Sequence, residues 1–170
     1  LARMEGIVKA MNIIMAERTK PVLTKLPLRS TEESWRRALD MTRVAVEAGL
    51  DGVTAAGNLR VEDNRLSKRQ VSLTGPPCLE NTLEVVRELR AVAGERFTIR
   101  MSGGASDGAG VFRLLEAGAD AVNAFTAFVY QGPGVAARVN RQLLEKMDAE
   151  SVRSVGEIRE CRAAPKTAVS

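Results

Sequence analysis

The sequence predicts an α/β chain built as the C-terminal half of a (β/α)8 barrel, with about four consecutive βα units. Three observations predict it. Short apolar runs alternate with segments of helical periodicity along the whole chain. No hairpin signal separates one run from the next, so the strands must be parallel and joined by right-handed crossovers. Four such units are half the number that closes a barrel, although a doubly wound sheet satisfies the first two observations equally. A half barrel leaves two parallel edges unpaired, so the remainder is expected from further chain or from a partner.

Met4, Ile7, Val8, Met11, Ile14 and Met15 recur at helical spacing and predict an amphipathic helix over residues 2–17. Residues 21–26 form a short run rich in branched side chains and bounded by prolines, as a buried parallel strand should be. Lys25 is its one charge. Ser30 and Glu33 make a capping box for a helix over residues 31–48, which Gly49 closes. A strand over residues 52–57 follows, and then a polar stretch over residues 58–78 that is long for a plain connection. Residues 79–93 predict a helix, 97–102 a strand, 107–117 a helix closed by Gly118, 121–126 the fourth strand, and 134–146 a further helix. Residues 151–161 add a last turn, so the domain is expected over 1–162, with a flexible tail over 163–170.

Composition narrows the chemistry. With 170 residues and 45% apolar content the chain suffices for one core, and the formal charge of +4 is scattered instead of gathered into basic runs. Aromatic residues make up 4%, too few for stacking platforms, so a nucleic-acid partner is not expected. There is no histidine, and Cys78 and Cys161 stand far apart in no metal-ligand spacing. A metal site and a histidine triad are therefore not expected, and both thiols read as buried or incidental. The chain begins at Leu1 with neither a signal peptide nor a membrane span, and is expected to be a segment of something longer.

Ser102-Gly103-Gly104 directly follows the third strand, where paired glycines let backbone N–H groups approach a phosphate at the start of a helix. Ordinary turn punctuation is the competing reading. The next strand ends in Phe125-Thr126, which places a hydroxyl at the same rim, and barrels often build a phosphate site from their last two loops. Lys25 either has a bound anion as partner or snorkels from a strand end. Gly75, in Leu73-Thr74-Gly75-Pro76-Pro77, either brings backbone close to a ligand or forms a rigid surface turn. Asn58 lies just past the second strand and Asn123 within the fourth, each able to bond a ligand or to cap local backbone. Asp51 and Asp120 precede strands and so belong to the opposite, structural face.

In order, the stretches TKPVLTKL from Thr19, GLDGVTAAGN from Gly49, LTGPP from Leu73, SGGASDGAGVFRLLEAGADAV from Ser102 and FTAFVYQGP from Phe125 resemble dihydroorotate dehydrogenase. The similarity is greater to the membrane-linked, quinone-using class, and it covers residues 19–160. It implies a TIM barrel and an FMN-dependent oxidoreductase that converts dihydroorotate to orotate in pyrimidine biosynthesis. Lys25 would contact the flavin ring. Ala56, Gly75, Gly103, Gly104, Phe125 and Thr126 would hold FMN, chiefly its phosphate, through backbone groups. The family's usual Thr-Asn-Thr is matched by Ala56-Gly57-Asn58, so the substrate-binding asparagine is either lost or displaced by one residue to Asn58.

The family's Ser or Cys base lies on an upstream loop, so the resemblance places no catalytic residue in this chain. It also implies a small-molecule substrate, quinone as electron acceptor, and association with a membrane: the mitochondrial inner membrane in a eukaryote, the cytoplasmic membrane in a bacterium. Location in the cytoplasm is the alternative. A barrel isomerase or synthase acting on a sugar phosphate would use the same Gly103-Gly104 and Thr126 rim, and a non-catalytic, diverged FMN-binding half barrel is the third reading.

Overall fold

The computed structural model describes residues 2–163 of the chain. In chain order its elements are α1 (Ala2–Glu17), β1 (Leu23–Lys25), α2 (Glu32–Glu47), β2 (Gly52–Ala56), β3 (Leu59–Glu62), β4 (Gln70–Leu73), α3 (Leu79–Ala93), β5 (Thr98–Ser102), α4 (Gly108–Ala117), β6 (Ala121–Asn123), α5 (Thr126–Gln131), α6 (Val135–Ala149) and α7 (Val155–Ala163). The predicted tail begins on the last residue of α7, and residues 164–170 lie outside the described residues. So does the side chain of Cys161. Cys78 is a free, buried thiol whose Sγ donates to the Leu73 carbonyl at 3.1 Å.

The main sheet has the order β1-β2-β5-β6, all parallel. Each strand lies beside its successor in this series with no reversal, which is the winding of a barrel and not that of a doubly wound sheet. The strand faces are unlike. Val53, Ala55, Ile99 and Met101 are buried on the outer face, in one core with Trp35, Ala38 and Ala45 of α2, Leu83, Val86 and Leu89 of α3, and Leu114 of α4. A second cluster joins Phe112 and Leu115 of α4 to Met147 and to Ile158 of α7. Apolar burial on the convex side thus holds the sheet in place and leaves the concave side for polar residues.

Three local expectations are corrected. The stretch over residues 58–78 contains an antiparallel hairpin of β3 and β4, with Leu59 opposite Leu73 and Val61 opposite Val71. Two runs of strict alternation carry that signal, but seven residues of polar loop separate them and hide the pairing. The fourth strand stops at Asn123, and Thr126 opens the short helix α5, which ends at Gly132 with φ 76° ahead of Pro133. The cap of α2 is Thr31, not Ser30. The Thr31 hydroxyl accepts from the Ser34 N–H at 3.1 Å, and the Ser34 hydroxyl accepts from the Thr31 N–H at 2.9 Å. Serine replaces glutamate in the box because its short hydroxyl reaches back across one turn. Thr31→Ala is expected to lower stability by about 1 kcal/mol, read as a shift in the urea midpoint. An unchanged midpoint would show that the box does not set this helix start.

The N-terminal edge of the sheet is tied by carboxylates, as expected for Asp51 and Asp120. Asp51 accepts from the guanidinium of Arg18 and from the Val22 N–H at 2.7 Å, and these bonds, Arg18 first, hold its carboxyl below the usual carboxylate range. Asp120 accepts from Arg90 at 2.6 Å, from the Ile99 N–H at 2.7 Å, and from Arg159.

Candidate functional site

Parallel strands joined by crossovers place every strand C-terminus on one edge, and residues at those ends converge there. At that edge a cleft of about 430 Å³ gathers all eight candidate residues. Its volume falls within the range of small-molecule and cofactor pockets. Lys25 comes from β1, Ala56 and Asn58 from the end of β2 and just beyond, Gly75 from the turn after β4, Gly103 and Gly104 from the turn after β5, and Phe125 and Thr126 from the start of α5.

Sheet register organises the floor of the cleft. In a parallel pair, residues opposite one another point to the same face. Lys25 is opposite Thr54 and Thr54 opposite Arg100, so these three form one row on the concave face. Ala56, Ser102 and Asn123 form a second row nearer the rim. Two residues of strand separate the rows, about 6–7 Å. Within each row the side chains meet across strands. Arg100 Nε donates to Thr54 Oγ1 at 3.1 Å, and Asn123 Nδ2 donates to Ser102 Oγ at 3.3 Å. The sequence reading gives Thr54 and Arg100 no role and names Ser102 only as the start of the glycine turn. The alternation of β5, in which Arg100 and Ser102 flank the buried Met101, was the signal that could have found them.

At the rim, Thr126 Oγ1 donates to Thr74 Oγ1 at 3.0 Å, joining the turn after β4 to the start of α5. Thr126 thus reaches the cleft from a helix, whereas the sequence placed it on a strand end. The paired glycines are required by their surroundings. Gly103 and Gly104 have φ of 101° and 85°, in the left-handed region. A Cβ on Gly104 would lie 2.6 Å from the Leu79 Cα, and one on Gly103 would lie 3.0 Å from Asn58 Oδ1. The turn therefore passes close under the start of α3 and beside the Asn58 amide, where only glycine fits without displacement.

The chemistry of the lining is one-sided. It holds the cations Lys25 and Arg100 and the hydroxyls or amides of Thr54, Asn58, Thr74, Ser102, Asn123 and Thr126, with no carboxylate and no thiol among the described residues. Such a surface suits an anionic or electron-rich ligand. Phe125 stands 79% exposed at the rim, beside exposed Phe128 and Tyr130 of α5. A wider open groove of about 640 Å³ lies between α1 and α2, lined by Val8, Ile13, Ala16 and Val44 among others. It holds no candidate residue.

Comparison with known proteins agrees with this geometry. The sequence model of the family described as Dihydroorotate dehydrogenase matches residues 3–147. A dihydroorotate dehydrogenase (quinone) of Arthrobacter sp. (strain FB24) is 34% identical over 135 residues, which are 75% of this chain and 37% of that protein. The protein of the same name from Rhizobium etli (strain CIAT 652) is 31% identical over 169 residues, 95% of this chain and 46% of that protein. The chain therefore spans less than half the length of these curated relatives. Among solved structures, the DHODH of Eimeria tenella in complex with ferulenol superposes with a TM-score of 0.67 at 27% identity, over 84% of this chain and 38% of that one. A ligand-free form from the same organism gives a TM-score of 0.73 at 22% identity, over 95% of this chain and 50% of that one, a likeness of fold alone.

Proposed function

The chain belongs to the dihydroorotate dehydrogenase family, and from that membership we propose that it forms the FMN-binding half of an oxidoreductase that converts dihydroorotate, or a related ring, to its oxidised form in pyrimidine biosynthesis. One observation carries the reading: residues from β1, β2 and the turns after β4, β5 and β6, far apart in sequence between Lys25 and Thr126, line a single cleft with cations on its floor and glycine turns on its rim. The fit to FMN is chemical. A phosphate suits the Gly103-Gly104 turn, whose missing side chains let backbone approach, together with Gly75 and the Thr126 hydroxyl. An electron-rich ring suits the concave face, where Lys25 carries positive charge.

FMN supplies hydride acceptance when it is bound, and the protein's part is placement and electrostatics. The backbone around Ala56, Gly103, Gly104 and Phe125 holds the group against the sheet edge. Lys25, on the floor of the cleft, favours negative charge on the ring by direct attraction. Asn58, at the rim beside Gly103, offers an amide that both donates and accepts, which suits the polar ring of the substrate. The proton-removing base is assigned outside these 170 residues, to the upstream loop that the family resemblance implies. Quinone as acceptor and association with a membrane are part of the same proposal, supported by the quinone-dependent names of the relatives. No helix among the described residues is long and apolar enough to cross a membrane.

Purified protein is expected to take up FMN with the yellow absorbance of a bound flavin and to prefer it to riboflavin. A colourless protein that binds neither would end the flavin reading. Uptake of sugar phosphates in place of FMN would favour a barrel isomerase or synthase. In the full-length protein, Lys25→Ala is expected to slow dihydroorotate-dependent dye reduction by roughly tenfold or more, with a smaller change in FMN affinity. An unchanged rate would remove the role given to Lys25.

A further inference from the structure

Arg100 is an unusual residue for its place. It stands at the centre of β5 on the concave face, between the buried Ile99 and Met101, where a barrel would ordinarily carry an apolar side chain. Its neighbours across the sheet are Thr54 on one side and Ala121 on the other. Thr54 Oγ1 accepts from Arg100 Nε at 3.1 Å, which fixes the root of the guanidinium and leaves the Nη groups for another partner. Lys25 lies one strand beyond Thr54, so the two cations are about 10 Å apart at their Cα atoms, from two inter-strand spacings. No ion pair involves Lys25 or Arg100 among the described residues, which they share with several other basic residues, whereas Arg18, Arg29, Arg90, Arg113 and Arg159 have carboxylate partners. Two unpaired cations beside a threonine make a surface that waits for negative charge.

We propose that Arg100, held in place by Thr54, is a second cation for the flavin ring beside Lys25 and biases the site toward the reduced, more negative form of FMN. This rests on the FMN reading above and adds to it a residue with a distinct role. The position separates Arg100 from the phosphate end. Arg100 precedes Gly103 by three residues, so its root lies roughly 10 Å down the strand from the glycine turn. A group at that depth meets the ring in preference to the phosphate. The pair Thr54 and Arg100 acts as a unit: the hydroxyl orients the fork, and the fork carries the charge.

The test compares wild-type protein with Arg100→Gln, Arg100→Lys and Thr54→Val, each loaded with FMN, by measuring the affinity for FMN and riboflavin and the midpoint potential of the bound flavin. Arg100→Gln is expected to weaken binding of reduced relative to oxidised FMN by roughly tenfold, the scale of a screened charge at ring distance, which lowers the two-electron midpoint by about 30 mV. Thr54→Val should move it in the same direction by less, and Arg100→Lys should restore part of the shift. The preference for FMN over riboflavin should stay as in wild type. An unchanged midpoint in Arg100→Gln with FMN still bound overturns this role and leaves the flavin reading standing. Loss of the FMN-over-riboflavin preference with an unchanged midpoint assigns Arg100 to the phosphate and also overturns it. Wild-type protein that binds no FMN overturns both readings together.

Discussion

Asp120→Ala is expected to lower the unfolding free energy by about 3–5 kcal/mol, the cost of leaving a buried charge without its partner. Arg90 is the reason. Its side chain is 1% exposed, and its guanidinium donates to the carbonyls of Gly94 and Phe97 at 2.6 and 2.8 Å, to that of Gly118 at 2.6 Å, and to the Asp120 carboxylate at 2.6 Å. Carbonyl groups satisfy the donors but do not neutralise the charge. Without Asp120 the burial of Arg90 is uncompensated, and the Ile99 N–H loses its acceptor as well. Arg159 loses a partner at the same point and keeps only its bonds to the Glu95 carbonyl and carboxylate. Asp120→Asn should cost less, since it keeps an acceptor. Replacing Arg90 and Asp120 together with apolar residues should recover much of the loss, because the pair is costly to break and not costly to exchange. Urea unfolding measures all three variants. A loss under about 1 kcal/mol in Asp120→Ala would show that this cluster is no more than a surface ion pair.

Gly104→Ala is expected to cost nearly as much in stability and to abolish FMN uptake. The new Cβ would lie 2.6 Å from the Leu79 Cα and 2.9 Å from its N, both backbone atoms at the start of α3 that cannot rotate away. The φ of 85° adds strain of about 1–3 kcal/mol, and the forced separation of turn and helix about 1–3 kcal/mol more. Relief requires the turn to move into the cleft, where the phosphate of FMN is proposed to sit. Gly103→Ala should be milder in packing, because the obstructing atom there is the amide oxygen of Asn58, which can swing aside. The comparison is read by thermal unfolding and FMN titration. Equal FMN affinity in Gly104→Ala and wild type would exclude this turn from the binding site.

Much of this was legible before any coordinates. The helices α1, α3 and α4 begin and end within a residue of their sequence limits, because apolar periodicity and terminal glycines are local signals. The eight candidate residues meet in one cleft, because all are at or beyond strand C-termini. Where local signals compete, tertiary packing decides the outcome. Phe125, Thr126, Phe128, Val129 and Tyr130 are good strand formers, yet the chain turns there into α5 so that Ala127 can pack on Val135 and Val139 of α6. Leu59, Val61, Val71 and Leu73 alternate as a hairpin should, but the pairing is settled only when the two runs meet.

By itself the sequence determined the order of βα units and which residue types reach the rim, since both follow from periodicity along the chain and from the one-way geometry of parallel crossovers. Only the tertiary structure decided the register that sets Lys25, Thr54 and Arg100 in one row, the approach of Gly104 to α3, and the burial of Arg90 on Asp120. These are contacts between segments far apart in sequence, fixed by the packing of helices on the convex face of the sheet, and no local pattern encodes them.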